Sequence, residues 1–142
     1  MSKVLRLAIS PCPNDTFMFD AMINHRIDTE GLQFEVDYLD IEQLNSAALE
    51  SKYDVSKCST ALLPAIYANY RLLDSGSALG RGNGPLLVRR RGFDGAMRDI
   101  VVPGLHTTAN LLTERLFPDI RTRTPMLFSE IADAVAEGRY DA

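Results

Sequence analysis

The chain is short of cysteine and histidine, with two of each in 142 residues. Cys12, Cys58, His25 and His106 show no metal-ligand spacing, which argues against a zinc site. Two cysteines build no disulfide framework and fit a reducing cytosol, so a cytoplasmic protein is expected. No stretch approaches the roughly 18 apolar residues that a membrane span needs. No secretory leader is expected, since Met1-Ser2-Lys3 runs directly into a short alternating strand. Basic excess is lacking as well: 15 Lys and Arg stand against 19 Asp and Glu, a formal charge of −4. A nucleic-acid surface needs a clustered basic face, and this balance argues against one. The one basic run, Arg89-Arg90-Arg91, precedes Gly92-Phe93-Asp94-Gly95, the composition of a hairpin tip. It reads as a solvated turn in preference to an anion site.

A dinucleotide fingerprint is the last absence. Gly80-Arg81-Gly82-Asn83-Gly84-Pro85 carries three glycines, but they precede a strand where a fingerprint would open a helix. A phosphate-cradling loop would also need a Lys-Ser/Thr ending. Close backbone approach at a crossover between lobes accounts better for these glycines. Arg81 can still project from the loop as an anion partner.

What remains is the composition of an ordinary soluble domain, 46% hydrophobic and 24% charged, long enough for a real core. Leu5, Leu7 and Ile9 alternate, which predicts a strand over 4–9. Ser10-Pro11-Cys12-Pro13-Asn14-Asp15-Thr16-Phe17 follows. Its prolines predict a stiff loop that resists helix until Asn14, with Asn14 or Asp15 capping the helix behind it. In open α/β sheets ligands bind at such a turn, outside the carboxyl end of a strand. Residues 32–39 alternate cleanly as a second strand, and Asp40-Ile41-Glu42-Gln43 reads as a capping box for a helix through Lys52. Residues 54–57 form a short third strand, and Ser59 or Thr60 caps a helix over 61–70, with Pro64 in its first turn. The order β-α-β-α-β-α predicts a mostly parallel sheet with crossover helices.

Further along, 86–88 and 100–102 read as compact apolar strands, the first ending at the arginine hairpin. A helix is predicted from Thr107 to Phe117, with Leu111, Leu112, Leu116 and Phe117 on one side and Pro118 ending it. Ser129 is the expected cap of a last helix reaching Glu137, with Gly138 as its terminal glycine. A strand should begin at Arg139-Tyr140-Asp141-Ala142, because each earlier helix returns to the sheet. The chain therefore reads as the amino-terminal part of a larger two-lobed protein, residues 1–88 supplying the first lobe and 89–142 part of the second. No internal repeat is apparent.

Asn14, Asp15 and Thr16 can all place polar groups at a helix start, where backbone N–H groups favour anions. Cys12 lacks an obvious general base and reads as a packing residue in preference to a nucleophile. Thr107-Thr108-Ala109-Asn110 after Pro103-Gly104 repeats the arrangement of strand, stiff loop and hydroxyls at a helix start. Two such termini on different lobes can hold a polyoxygenated ligand from both sides, whereas ordinary capping by Thr107 explains one hydroxyl only. His106 is a candidate acid or base with an exposed loop as its plainer reading, and His25 sits at a solvated helix exit.

Four stretches resemble the 1,4-dihydroxy-6-naphthoate synthases of the futalosine route to menaquinone. Ser10-Pro11-Cys12-Pro13-Asn14-Asp15-Thr16-Phe17 is similar to the family's proline-rich signature, and Lys57-Cys58-Ser59 to its Lys-x-Ser after the third strand. Ala78-Leu79-Gly80-Arg81-Gly82-Asn83-Gly84-Pro85-Leu86-Leu87-Val88 resembles its glycine-rich crossover. Pro103-Gly104-Leu105-His106-Thr107-Thr108-Ala109-Asn110 resembles its Thr-Thr helix start. The resemblance implies an α/β fold like the type II periplasmic binding proteins, two-lobed and truncated, with the second lobe incomplete. It implies lyase-type conversion of cyclic dehypoxanthine futalosine to 1,4-dihydroxy-6-naphthoate, without metal or organic cofactor. Asn14, Thr16, Ser59, Thr107 and Thr108 are then expected to orient substrate, with Lys57 and Arg81 also binding it. The family's proposed base is a histidine just after a Gly-x-x-Asp-Ala pattern. Here Gly138-Arg139-Tyr140-Asp141-Ala142 closes the sequence. The base is expected beyond Ala142, and residues 1–142 alone are expected to be inactive. The alternatives are the related chorismate dehydratase of the same pathway and a non-catalytic protein that binds a small carboxylate.

Overall fold

Two parallel sheets organise the chain, one in each of two units that divide between Ala78 and Leu79. The division falls ten residues before the 88/89 boundary expected from the sequence. The computed structural model describes residues 3–82 and 84–142.

The first unit is built around β1 (Lys3–Ile9), the central strand of the order β2-β1-β3. It pairs in parallel with β2 (Leu32–Tyr38) from Lys3↔Leu32 to Ile9↔Tyr38. On its other side Leu7 and Ala8 pair with β3 (Val55–Ser56). Leu7, Ala8 and Ile9 are completely buried, consecutive residues on both faces, as a strand covered on two sides requires. The ladder continues past the strand ends, with Leu39 N donating to Ile9 O and Lys57 N to Ala8 O. Residues 10, 39 and 57 are thereby held at one end of the sheet.

Helix α1 (Pro13–Ile23) begins earlier than expected. Pro13 does not delay the helix but opens it, because its fixed φ suits the first helical position and that position needs no N–H partner. Cys12 occupies the N-cap in extended conformation without a side-chain cap bond, so neither Asn14 nor Asp15 caps. Helix α2 (Ile41–Leu49) carries the expected capping box, with Glu42 N donating to Asp40 Oδ1 and Asp40 N to Gln43 Oε1. It ends before Lys52 because Ser51 turns to φ +55°, and Ser51 N and Lys52 N close onto Ala48 O and Ala47 O. Leu44 and Ala47 pack on Ala8 and Tyr53, and Ala48 on Leu62 and Ile66. In place of one helix over 61–70, a 3₁₀ turn (Thr60–Leu62) runs into the short α3 (Leu63–Ile66). Pro64 cannot donate the bond that would join them into one α-helix.

The second unit pairs β4 (Asp99–Val102) with β5 (Thr122–Pro125) in parallel, Asp99 opposite Thr122. Helix α4 (Thr108–Leu116) joins them, capped by Thr107, and α5 (Phe128–Ala136) follows β5. Ile100, Val102, Ile120 and Ala142 form the core. Three expectations fail here. Residues 86–88 form no strand: among the described residues no strand pairs with them, and Leu86 and Val88 are exposed. The arginine run is consequently a plain turn closed by Phe93 N on Arg90 O, with no hairpin around it. Leu127, not Ser129, is the N-cap of α5, so Ser129 lies inside the helix. Gly138 ends α5 as expected, at φ +79°, with Gly138 N on Val135 O and Arg139 N on Ala134 O. The chain then returns beside β4, where Asp141 N donates to Asp99 O and Val101 N to Ala142 O.

The two units repeat one construction that the sequence did not betray. Each runs strand, helix, parallel strand, helix, and back to the first strand. In each, a Tyr-Asp pair makes the return. Asp54 Oδ2 accepts from Arg6 N at 2.8 Å, and Asp141 Oδ2 accepts from Arg98 N at 2.8 Å and Asp99 N at 3.0 Å.

Candidate functional site

The end of the first sheet where β1 hands over to α1 gathers a polar network. Asp15, 5% exposed, faces back toward the strand end. Its Oδ2 accepts from Ser10 N at 3.0 Å and from Ser10 Oγ at 2.8 Å. Lys57 Nζ, from the loop after β3, lies 3.6 Å from Asp15 Oδ1 and donates to Gly76 O at 2.7 Å. Cys12 Sγ is 2.8 Å from Ser10 Oγ. A hydroxyl has one proton. With that proton on Asp15, Ser10 can only accept from the thiol. Next along the same loop, burial pushes the Cys58 thiol above its ordinary pKa against the opposing charge of Lys57. Cys58 is therefore held as a neutral thiol, a poor nucleophile at neutral pH.

Ser59 is fixed by a partner the sequence reading missed. Asn45, fully buried on α2, accepts from Ser59 N at 2.9 Å through Oδ1 and donates to Ser59 Oγ at 3.0 Å through Nδ2. A signal for Asn45 was there: it interrupts the apolar face that Leu44, Ala47 and Ala48 form. A polar residue on a core face must find a partner.

The other expected site residues divide by what their hydroxyls already do. Thr16 donates to Cys12 O inside its own helix turn. Asn14 is exposed on the first turn of α1, and its side chain makes no hydrogen bond among the described residues. Thr107, 4% exposed, gives its proton to Gly104 O at 2.7 Å and accepts from Asn110 N at 3.2 Å. Its hydroxyl proton is committed to capping. Thr108 follows as the half-buried first residue of α4. Asn110 donates from Nδ2 to Leu105 O and Glu114 Oε1, while its buried Oδ1 has no partner among the described residues. Arg81 is exposed on a bend. Asn14, Thr16, Lys57 and Ser59 thus belong to the first unit, and Arg81, Thr107 and Thr108 to the second. His25 is exposed in the turn after α1, at φ +54°.

Among the described residues no His, Cys, Asp or Glu side chains cluster as a metal site, and no helix is long and apolar enough to cross a membrane.

The profile of a family described as menaquinone biosynthesis matches residues 5–142. The chain belongs to that family. It is 40% identical, over 99% of its length, to a 1,4-dihydroxy-6-naphthoate synthase of Streptomyces coelicolor. It is 38% identical, again over 99% of its length, to an enzyme of the same name from Thermus thermophilus. The crystal structure of protein AF1704 from Archaeoglobus fulgidus superposes with a TM-score of 0.87 at 35% identity, covering 97% of this chain. The chain spans 52%, 51% and 52% of these three, about half the length of each. The family is the one that the four sequence motifs resemble, and the mixed α/β architecture with parallel sheets agrees with it.

Proposed function

We propose that this chain supplies the substrate-orienting part of a 1,4-dihydroxy-6-naphthoate synthase acting on cyclic dehypoxanthine futalosine, in a two-lobed fold like the type II periplasmic binding proteins. The observation that carries the reading is the Asn45–Ser59 clamp and the Lys57–Asp15 pair at the carboxyl end of a parallel sheet, where open α/β folds bind ligands. It presents fixed donors in the motif that resembles the synthases. Releasing a ribose-derived fragment demands a set geometry between the proton removed and the bond that breaks, and pre-positioned donors provide it. Asn14, Lys57, Ser59, Arg81 and Thr108 are the side chains proposed to contact substrate. Thr16 and Thr107 act through the backbone they brace. The base is a histidine following the pattern that ends at Asp141-Ala142. General-base catalysis contributes about 10²- to 10⁴-fold, so residues 1–142 alone turn over no substrate. The protein works in the cytoplasm without metal or organic cofactor.

A binding protein for a small carboxylate is the second reading, favoured by the same donors at Lys57 and Ser59. Incubation of a version extended to the relatives' length with cyclic dehypoxanthine futalosine and, separately, with chorismate separates the readings. Naphthoate formed from the first substrate supports the synthase. Dehydration of chorismate instead, or binding without product, overturns it.

A further inference from the structure

We infer that Asn45 is a positioning residue that makes the Ser59 hydroxyl an obligate donor, and that the group this donor meets is an acceptor-only one, the carboxylate of the ligand. The inference rests on the function proposed above.

The hydrogen positions follow from the heavy atoms. The Ser59 backbone N–H can only donate, so the Asn45 atom 2.9 Å from it must be the carbonyl oxygen. The amide nitrogen then faces Ser59 Oγ at 3.0 Å, and an amide nitrogen can only donate. Ser59 Oγ therefore accepts, and its own proton points away from Asn45. No other described residue takes that proton. The hydroxyl sits on a residue only 9% exposed, so bulk water is a poor substitute partner. Two residues earlier in the loop, Lys57 presents an ammonium, which also only donates. Its bonds to Gly76 O and toward Asp15 use two of three N–H groups. An ammonium and a committed hydroxyl on one loop match a carboxylate, which accepts from both and donates to neither.

Replacing Asn45 by aspartate inverts the polarity at almost constant shape. In its ionised form the introduced carboxylate accepts from Ser59 N and from the Ser59 hydroxyl together, and removes the donor from the ligand. In its protonated form it mimics the amide. The probe is 1,4-dihydroxy-6-naphthoate, with its 6-carboxamide as a neutral comparison, titrated into the protein extended to the relatives' length and followed by the Ser59 amide resonance. Asn45→Asp should weaken carboxylate binding about tenfold or more as pH rises through the titration of the new carboxyl, and carboxamide binding far less. Glu42 on the same helix and Lys57, Cys58 and Asp15 near Ser59 are identical in the two proteins, so each variant is compared with the unmodified protein at the same pH. Ser59→Ala should weaken binding equally at all pH values, and adding Asn45→Asp to it should have no further effect. Additive losses, or carboxylate binding unchanged in Asn45→Asp across the pH range, overturn the inference and leave the function standing. Failure of the unmodified protein to bind the naphthoate overturns both.

Discussion

Thr107→Val tests how α4 is held. Valine keeps the shape and removes the hydroxyl, which in this structure donates to Gly104 O at 2.7 Å and accepts from Asn110 N at 3.2 Å on a residue 4% exposed. Loss of a threonine N-cap costs about 0.5–2 kcal/mol. Burial here leaves Asn110 N without its cap, and Gly104 O keeps only the long 3.4 Å bond from Thr107 N. The cost should therefore sit at the upper end, about 2 kcal/mol. That is a factor of about 30 in the folded-to-unfolded ratio. With a urea slope of about 1–1.5 kcal/mol/M for so small a unit, the midpoint should fall by about 1.3–2 M. Urea unfolding gives the midpoint, and amide exchange at Ile100, Val101 and Val102 assigns the loss to this unit. Thr107→Ser keeps the cap and should lose less than a quarter as much. An unchanged midpoint in Thr107→Val would show that the hydroxyl is not capping, and would return it to the ligand.

Two further outcomes follow from buried groups. Leu44, completely buried against Ala8, Ala47 and Tyr53, should cost about 2–5 kcal/mol when replaced by alanine, read as lost amide protection across β1. A loss under about 1 kcal/mol would deny that this cluster is the core of the first unit. Asp141 is held below the usual carboxylate pKa by hydrogen bonds from Asp99 N and Arg98 N. A depressed carboxylate stabilises fully above its unfolded pKa of about 3.9 and loses that contribution as pH falls through the lower folded value. The stability gap between the protein and Asp141→Asn should thus close on acidification below about pH 4, and a widening gap in urea midpoints would refute the assignment.

Local patterns were legible in the sequence and long-range ones were not. The Asp40 capping box and the Gly138 terminus depend on residues within a turn of each other, and both form as read. Strand 86–88 misled because an apolar triplet carries no information about whether a partner strand lies beside it. The polar β5 was overlooked for the converse reason: Thr122-Arg123-Thr124-Pro125 has no apolar alternation, yet β4 offers it a ladder. Proline was given the right stiffness at Pro13 and the wrong place, since an N1 proline opens a helix. At the site, Lys57 and Ser59 were recognisable through the family motif. The Asn45–Ser59 clamp and the Asp15–Lys57 contact were not, because they join residues 14 and 42 positions apart that only the parallel sheet brings together. The doubled architecture was hidden for a similar reason. What the units share is strand order and a Tyr-Asp return, and two residues are too short a signature to read as a repeat.

The most direct test of the proposed function is turnover measured side by side. The 142-residue protein and a version extended to the relatives' length are each incubated with cyclic dehypoxanthine futalosine, and 1,4-dihydroxy-6-naphthoate is followed by absorbance. The extended protein should form naphthoate, and residues 1–142 should form none above the uncatalysed background. No naphthoate from the extended protein, or equal rates from both, would contradict the account.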